Sequence, residues 1–421
     1  MKFYVSDYGA LPNGELCTGN IQAAIDDCFL KGGGEVVVSE GVYLVAGIRL
    51  RSNVTLHLLE NAILKGSRRV EDYFDYLADK VEPISDEERE SYAPTIRIGT
   101  MPTASVKPYS RWNNAIIRAI RAENIAIIGE QGSVIDGQNC YDPEGEEHFR
   151  GPHGIGLWYC KNITLRGYTL KNSGNWAHEI QNSSNIKATD ITVLGGHDGF
   201  DARTSDNILI ENSTFMTGDD CIAGFDNQNV VIRGCHFESA CSIMRFGATD
   251  MLVENCEGVL PTKYKYRNSM SLEEKISGAD TTEEHRGNCL TAFLYYCDNR
   301  AEVRATPGNI LIRNCKFKDV DTVFDLPFGE RWCTNRSLSD ISFENCTFDG
   351  VVRPIYVNAP DEQHLTIKMR DCSISPRKGY EDIAFLEAKN LDKLELFGIK
   401  REGFFDPKIV SDPITEVIIS D

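Results

Sequence analysis

The chain has 421 residues, a formal net charge of −19, 41% hydrophobic residues and 25% charged residues. This composition is ordinary for a globular protein and excludes a largely disordered chain, and no apolar run approaches the length that crosses a membrane. The acidic balance argues against nucleic acid as a partner, because phosphate binding depends on a basic surface. A local cationic pocket can still hold an acidic sugar.

The N-terminal residues Met1 to Tyr8 contain no apolar segment of the secretory kind, so we expect a cytoplasmic protein. Fourteen cysteines are present, but none form a CxxC pair or a His/Cys cluster at zinc spacing. Several fall at one repeat position, which favours a stack of buried thiols over a disulfide framework. We therefore predict no structural metal and no cofactor.

The first predicted element is a short helix from Thr18 to Leu30. Apolar residues recur at helical spacing, a Thr or Asn can cap the start, and three glycines follow Lys31 as a stop signal. Strands are predicted at residues 35–38, 43–45 and 54–58. Because a repetitive stack needs its exposed end covered, we expect the helix to close the first coil.

Two stretches break the rhythm and are predicted to leave the stack, near residues 68–111 and 261–286. The first is acidic and contains proline. The second lies in an interval too long for one coil. Long loops in compact folds often wall a binding site, and the alternatives are an oligomer contact or a disordered flap.

One short phrase repeats from Asn124 to Cys372, as in Asn-Ile-Leu-Ile-Glu-Asn-Ser at Asn207 and Asn-Ile-Leu-Ile-Arg-Asn-Cys at Asn309. The starts at 162, 185, 207, 229 and 250 lie 23, 22, 22 and 21 residues apart by subtraction. This period and the alternation of β-branched and polar residues predict an all-β fold, a right-handed parallel β-helix, rather than a leucine-rich repeat. Since a solenoid grows by adding coils, we predict a single domain over residues 1–421, with Asn and Cys ladders at the bends.

Three carboxylates carry the chemical signal: Asp198 in Gly-His-Asp-Gly, and Asp219 with Asp220 in Thr-Gly-Asp-Asp-Cys. Asp198 and Asp219 lie 21 residues apart, which is one coil, so we expect them on neighbouring rungs of one face. Crowded carboxylates raise one pKa, which suits a general acid, while the others stay ionised to activate water. The alternatives are a hydrated turn and a calcium site.

At these residues, and in order along most of the chain, the sequence resembles glycoside hydrolase family 28, the polygalacturonase-type β-helix enzymes. The similar stretches are Val5 to Ala10, Gly32 to Val38, Asn124 to Gly129, Val134 to Gly137 and Leu170 to Trp176. The resemblance implies that Asp219 is the general acid and that Asp198 and Asp220 position and deprotonate water, with inversion. The family's Asn-Thr-Asp motif reads Gly196-His197-Asp198 in this chain.

Two further departures bear on the substrate. Cys241 stands where the family's Gly-His-Gly motif has its histidine, and no Arg-x-Lys can be placed after it, because the residue 261–286 stretch intervenes. In the family the Arg-x-Lys motif helps to bind the substrate carboxylate. Its loss removes a charge-assisted hydrogen bond of about 1.5–3 kcal/mol, so unmodified galacturonate is expected to be a poor substrate.

Other residues are predicted to contact the substrate and compensate for this loss. For each, a surface salt bridge, a packing role or a packed thiol is the alternative. The predicted substrate-binding residues are Trp176, His178, His197, Asp201, Arg203, Cys241 and Arg245, and the loop residues His285 and Arg286 are further candidates.

These observations predict an inverting glycoside hydrolase that acts on a pectin-related or other plant-polysaccharide oligosaccharide. The insertions favour exo action, since they would block one end of a cleft. Two alternatives remain open: a β-helix polysaccharide lyase or epimerase, and a catalytically inactive carbohydrate-binding β-helix. The predicted partner is an oligosaccharide or polysaccharide, with no nucleic acid and no membrane.

Overall fold

The computed structural model describes residues 1–73, 114–259, 262–278, 288–297, 304–327, 338–359, 364–400 and 409–420. These residues form two compact units. Unit 1 comprises Met1–Asp206 and Arg267–Thr282, and unit 2 comprises Asn207–Tyr266 and Glu283–Asp421. The single-domain organisation stays a prediction. No helix in the described ranges is both long enough and apolar enough to span a bilayer.

Unit 1 is built from parallel strands that stack on three faces. The first face consists of β4 (Ile48–Arg49), β7 (Ala115–Ile120), β10 (His153–Trp158), β13 (His178–Gln181) and β16 (Phe200–Arg203). The second consists of β1 (Lys2–Tyr4), β2 (Gly34–Val38), β5 (Val54–Leu58), β8 (Glu123–Gly129), β11 (Lys161–Arg166) and β14 (Ser184–Thr189). The third consists of β3 (Gly41–Val45), β6 (Ala62–Gly66), β9 (Val134–Asp136), β12 (Thr169–Lys171) and β15 (Thr192–Gly195).

Unit 2 has the same construction, and all but the first residue of β17 (Asp206–Glu211) belong to it. Two long strands, β19 (Ile222–Arg233) and β21 (Ser242–Glu254), pair along two faces. On the first face β21 is followed by β23 (Cys289–Tyr295), β26 (Val320–Pro327), β29 (Arg353–Asn358), β32 (Leu386–Lys389) and β34 (Ile409–Ser411). On the second it is followed by β24 (Gly308–Arg313), β27 (Asp340–Glu344), β30 (Thr366–Arg370), β33 (Lys393–Phe397) and β35 (Glu416–Ser420). The third face consists of β18 (Thr214–Thr217), β20 (His236–Ser239), β22 (Glu257–Val259), β25 (Lys316–Lys318), β28 (Thr347–Val351) and β31 (Ser373–Pro376).

Each unit is a right-handed parallel β-helix, so the predicted fold class is confirmed. The cause is visible in β11, where Ile163 and Leu165 point inward and polar residues alternate with them. Ile163 pairs in register with Ile125 and Ile186 of the neighbouring coils. Fully burying one such side chain contributes about 1.5–3 kcal/mol, and the repeat multiplies this gain along the stack.

The predicted Asn ladder lies at one bend of the coils. In unit 1 the Asn124 amide donates to Asn53, Asn162 to Asn124 and Asn185 to Asn162, each at 2.8 Å. In unit 2, Asn229 donates to Asn207 at 3.2 Å. All of these residues have positive φ, a conformation that Asn tolerates better than other non-glycine residues. The ladder therefore fixes the bend and links successive coils.

A row of cysteines lies at a second bend in unit 2. The thiols of Cys235, Cys256, Cys315, Cys346 and Cys372 each donate to the carbonyl of the residue two positions earlier. All thirteen cysteines that the structure describes are free, and twelve of them are buried. The stack of buried thiols is thus present as predicted, and only Cys241 among these thirteen is partly exposed.

The helix α1 spans Thr18–Leu30, the bounds predicted from the sequence. Its start differs from the prediction, because the N-cap is Cys17 and no side chain caps the helix. The hydroxyl of Thr18 instead accepts a hydrogen bond from the backbone N–H of Ala46 at 2.8 Å. Its buried residues contact the first coils, as expected of an end cap.

The two predicted excursions are only partly described. Of the first, residues 74–111 lie outside the described ranges, and a 3₁₀ helix spans Val70–Tyr73. Of the second, a 3₁₀ helix spans Arg267–Ser269 and α2 spans Leu272–Ser277. Because β21 pairs directly with β24, the long interval between them is one coil with an insertion, as predicted. Short 3₁₀ helices also span Val5–Tyr8 and Glu146–His148.

Candidate active site

In unit 1, Asp198 lies in the turn between β15 and β16. Its backbone carbonyl accepts a hydrogen bond from the N–H of Ala177 at 2.8 Å, which ties the turn to the preceding coil. The side chain is only 2% exposed. Burial of a carboxylate is costly unless its neighbours offset the cost, so buried acids at turns are candidates for function.

His178 lies in the packed interior of unit 1. One ring nitrogen donates to the Gly199 carbonyl at 2.9 Å, and the other lies 2.9 Å from the Tyr168 hydroxyl. Burial lowers the pKa of His178 to about 4, so the ring is neutral at physiological pH. With both nitrogens engaged inside the protein, this position favours a structural role over the predicted substrate contact.

The ring of His197 is also buried, and it stacks on Phe149 with centroids 5.9 Å apart. Burial, together with the nearby guanidinium groups of Arg150 and Arg267, lowers the pKa of His197 well below its usual range. The neutral imidazole therefore lies beside Asp198 in sequence but among cationic side chains in space.

Three further predicted residues, Trp176, Asp201 and Arg203, lie together. Asp201 and Arg203 are on β16, and Trp176 precedes β13 on the coil before it. Arg203 forms an ion pair with Asp201, with Nε 2.8 Å from Oδ1. The Arg203 guanidinium lies 4.4 Å from the ring centroid of Trp176, within the range of a cation–π interaction. All three side chains are buried, so Arg203 holds the tryptophan and the carboxylate in one rigid group.

Glu179 belongs to the same group and was not predicted from the sequence. It pairs in register with Asp201, and its Oε1 accepts a hydrogen bond from Gln181 at 2.5 Å. Its Oε2 is buried and makes no hydrogen bond with the residues that the structure describes. Burial raises the pKa of Glu179 to about 8; the Arg203 guanidinium opposes this rise, and the Asp201 carboxylate adds to it.

This raised pKa predicts a pH dependence of stability. The folded state keeps the Glu179 proton between about pH 4.5 and pH 8, whereas the unfolded chain loses it, so stability should fall as pH rises through this range. Glu179→Gln cannot ionise and should remove that decline, which is of the order of a few kcal/mol. Urea midpoints at about pH 5 and about pH 9 measure the effect. The exposed Glu60→Gln is the matched control, and an unchanged pH slope in Glu179→Gln would show that Glu179 is ionised in the folded protein.

In unit 2, the Gly218-Asp219-Asp220 turn joins β18 to β19. The Asp219 carbonyl accepts hydrogen bonds from the hydroxyls of Thr217 at 2.7 Å and Ser239 at 2.8 Å. The Asp220 N–H donates to Asp219 Oδ1 at 3.2 Å. These bonds fix the backbone of the turn.

The carboxylate of Asp220 is bound by Arg245, a contact that the sequence alone did not reveal. The Nε of Arg245 contacts Asp220 Oδ2, and the N–H of Ser242 donates to Oδ1 at 3.1 Å. The Arg245 guanidinium lies 4.5 Å from the ring centroid of Tyr296. The two oxygens of the Asp220 carboxylate are thus held by a backbone N–H and a guanidinium.

Cys241 lies beside this pair. One potential ligand atom each from Asp219, Asp220 and Cys241 lie within 4.8 Å of one another, a spacing that a metal ion would accept. The Cys241 N–H donates to the Ser239 hydroxyl at 2.8 Å, so the two turns share one anchor. The thiol thus occupies the neighbourhood that the resemblance assigns to a histidine.

Within unit 2 the structure brings together Asp219, Asp220, Cys241 and Arg245, and within unit 1 it brings together Trp176, Asp201 and Arg203. His178 and His197 lie in other surroundings, and His285 and Arg286 lie outside the described residues. Glu179, Tyr296 and Arg267 were missed. Their significance depends on burial and on contacts across coils, and no motif in the sequence marks them.

The chain is similar in sequence to known proteins. Residues 91–244 match the family profile of the glycosyl hydrolases family 28. Exopolygalacturonase A of Aspergillus niger is 30% identical over 289 residues, which cover 61% of this chain and 64% of that protein. A polygalacturonase of Saccharomyces cerevisiae is 32% identical over 126 residues, covering 27% of this chain and 35% of that protein.

The fold has a close counterpart among solved structures. A hyperthermoactive exopolygalacturonase from Thermotoga maritima superposes with a TM-score of 0.66 at 17% identity, covering 95% of this chain and 92% of that one. This likeness shows the fold alone. In sequence, the chain matches between about a third and just under half of the length of the first three curated relatives.

Proposed function

We propose that this chain, a divergent member of the glycosyl hydrolases family 28, hydrolyses glycosidic bonds of a pectin-related oligosaccharide with inversion. The observation that carries the proposal is the buried Asp219–Asp220 pair, in which Arg245 binds the Asp220 carboxylate. Two neighbouring carboxylates in one site can divide the roles of acid and base.

The role of each carboxylate follows from its neighbours. Arg245 and the Ser242 N–H position Asp220, which is proposed to bind and deprotonate water. Asp219, its neighbour in the same turn, is proposed to protonate the leaving oxygen, the role that the resemblance implies. The catalytic role of Asp198 stays a prediction from the resemblance.

The thiol of Cys241 changes the chemistry expected from the resemblance. A neutral thiol is a weak hydrogen-bond donor and cannot carry the positive charge of a protonated histidine. Arg245 is a permanent cation beside the same carboxylates, so we propose that it takes over the electrostatic part of the missing histidine. Exo action remains part of the proposal on the basis of the insertions.

The product assay separates this proposal from its alternatives. We would incubate the protein with galacturonate oligomers and with neutral pectic oligosaccharides, and follow the released ends and their anomeric form by NMR. We expect new reducing ends whose anomeric configuration is inverted relative to the cleaved bond, and no unsaturated product. Single residues should be released from one chain end. A ladder of intermediate oligomers would contradict exo action, and absence of any product from every substrate would contradict hydrolysis.

One observation keeps the lyase or epimerase as a second candidate. The ligand atoms of Asp219, Asp220 and Cys241 are close enough to hold a metal ion, and some β-helix lyases use calcium held by carboxylates. Arg245 already neutralises Asp220, which disfavours a cation at the same oxygens. Activity that survives a chelator and yields no unsaturated product would support the hydrolase. Calcium-dependent formation of an unsaturated product would support the lyase.

A further inference from the structure

The long strand β19 contains a bulge shortly after the turn that carries the proposed catalytic pair. Its register with β21 shifts between Gly224 and Asn227, and Phe225 and Asp226 lie in the bulge. Asp226 has a positive φ of 54°, and its carboxylate accepts hydrogen bonds from the backbone N–H of Arg304 at 3.1 Å and from its Nε at 3.0 Å. Bulges beside active sites commonly redirect a side chain, which draws attention to Phe225.

The ring of Phe225 is buried and meets the ring of Tyr296 edge to face. The two ring centroids lie 5.4 Å apart with an interplanar angle of 79°, a favourable arrangement for an aromatic pair. Tyr296 directly follows β23, and its backbone N–H donates to the carbonyl of Phe246 on β21 at 3.2 Å. Because the side chain of Tyr296 is also buried, its ring is held on one side by Phe225 and at its backbone by β21.

A glycine on β21 allows Tyr296 to lie this close. A Cβ on Gly247 would lie 2.1 Å from the backbone carbonyl oxygen of Tyr296, so any larger residue would force the two backbones apart. Arg245 precedes this glycine by two residues on the same strand. The sequence Arg-Phe-Gly therefore places the arginine of the candidate active site directly beside the position that Tyr296 occupies.

Arg245 connects Tyr296 to the proposed catalytic pair. Its guanidinium lies 4.5 Å from the ring centroid of Tyr296, and its Nε contacts Asp220 Oδ2. The Arg245 side chain is 16% exposed and that of Asp220 is 3% exposed, so the ion pair is partly shielded from water. A long arginine side chain has many rotamers, and a fixed aromatic ring against the guanidinium selects the one that meets the carboxylate.

We propose that Tyr296, held by Phe225, is a positioning residue that fixes Arg245 against the Asp220 carboxylate. The inference rests on the proposed function, in which Asp220 deprotonates water and Arg245 takes over the electrostatic part of the missing histidine. Tyr296 acts through Arg245 and is not itself a catalytic residue. Because displacement of a reacting group by about 1 Å lowers a rate by up to about 10²-fold, loss of this support should appear in kcat.

The kinetic test removes the ring of Tyr296 and then restores it. Tyr296→Leu should lower kcat for oligosaccharide hydrolysis by about 10- to 100-fold and leave KM within about threefold of the wild-type value. Tyr296→Phe keeps the ring beside the guanidinium, so its kcat should stay within about threefold of wild type. Phe317→Leu is the matched control, because it disrupts the buried Phe317–Phe348 stack at 5.6 Å on the third face. It should lose stability and keep kcat.

A double-mutant cycle shows whether Tyr296 acts through Arg245. In Arg245→Gln the guanidinium is gone, so adding Tyr296→Leu should lower kcat by no more than about twofold further. Full multiplication of the two effects would overturn the inference, and so would wild-type kcat in a folded Tyr296→Leu. A raised KM with unchanged kcat would overturn it as well, because that result would place Tyr296 in substrate binding.

A second measurement needs no turnover. The Nε–H resonance of Arg245 can be assigned in ¹⁵N NMR spectra by its loss in Arg245→Lys. In the wild type and in Tyr296→Phe, the ring should shift this resonance upfield and slow its exchange with water. In Tyr296→Leu the shift should disappear and exchange should be at least about 10-fold faster. If Tyr296→Leu does not fold, Phe225→Leu replaces it, and an Arg245 resonance that is unchanged in this variant overturns the inference.

The failure of this inference is distinguishable from the failure of the proposed function. If the Arg245 resonance responds to Tyr296→Leu but the wild type hydrolyses no oligosaccharide, the support of Arg245 by Tyr296 stands and the hydrolase is rejected. If the wild type hydrolyses an oligosaccharide and Tyr296→Leu does so with the same kcat, the hydrolase stands and the positioning role is rejected.

Discussion

Asp219→Asn is expected to lower turnover of an oligosaccharide by at least about 10²- to 10⁴-fold, the contribution of a general acid. The amide cannot donate its proton to the leaving oxygen, but it has the shape of the carboxyl group. Its oxygen can still accept the Asp220 N–H, and the backbone bonds from Thr217 and Ser239 do not involve the side chain. The fold should therefore be retained, as circular dichroism and the urea midpoint will show.

Two controls sharpen this prediction. Asp371→Asn changes an exposed aspartate of unit 2 at a bend with positive φ and should leave turnover unchanged. An aryl glycoside of the same sugar has a leaving group that needs no protonation, so Asp219→Asn should cleave it at a rate closer to that of the wild type. Hydrolysis of the natural linkage within a few-fold of wild type would show that Asp219 is not the acid.

Gly218→Ala is expected to lower kcat/KM by about 10²-fold through displacement of the same turn. A Cβ at residue 218 would lie 2.0 Å from the carbonyl oxygen of Lys265 and 2.8 Å from the N–H nitrogen of Tyr266. Both are backbone atoms of the segment that follows β22, so the turn and that segment would have to separate. We also expect a loss of stability of about 1–3 kcal/mol.

Gly19→Ala provides the control for this substitution. Gly19 lies in α1, and a Cβ there meets no atom within 4 Å. Alanine at this helical position should be neutral or stabilising by up to about 1 kcal/mol, with unchanged kinetics. Urea titration and initial rates measure both variants. Wild-type kinetics in Gly218→Ala would mean that the carboxylates tolerate a shift of their turn.

The fold was predictable because its information is local and repeated. Each phrase such as the one at Asn162 specifies a strand, a bend and the residues that stack on the next coil. The bounds of α1 followed in the same way from apolar spacing and the glycines after it. Its cap did not, since the Thr18 hydroxyl bonds Ala46 from another part of the chain. Contacts of that kind leave no local pattern.

The candidate site was likewise predictable only where a local motif carries its residues. Asp219 and Asp220 were found because one motif carries them, and Arg245 was named as a candidate without its partner. Glu179 and Arg267 were missed, because an ordinary glutamate and an ordinary arginine gain unusual properties only through burial beside particular charges. The expectation that galacturonate is a poor substrate rests on a missing motif and stays a prediction.

The row of thiols in unit 2 offers a way to measure local unfolding of the coils. Five cysteines, at positions 235, 256, 315, 346 and 372, are buried, so a soluble alkylating reagent should reach each one only when its neighbourhood opens. The labelling rate of each thiol, read by mass spectrometry, then reports the free energy of local opening at that position. These thiols lie on successive coils. If unfolding begins at one end of the stack, the labelling rates should therefore change steadily from one thiol to the next.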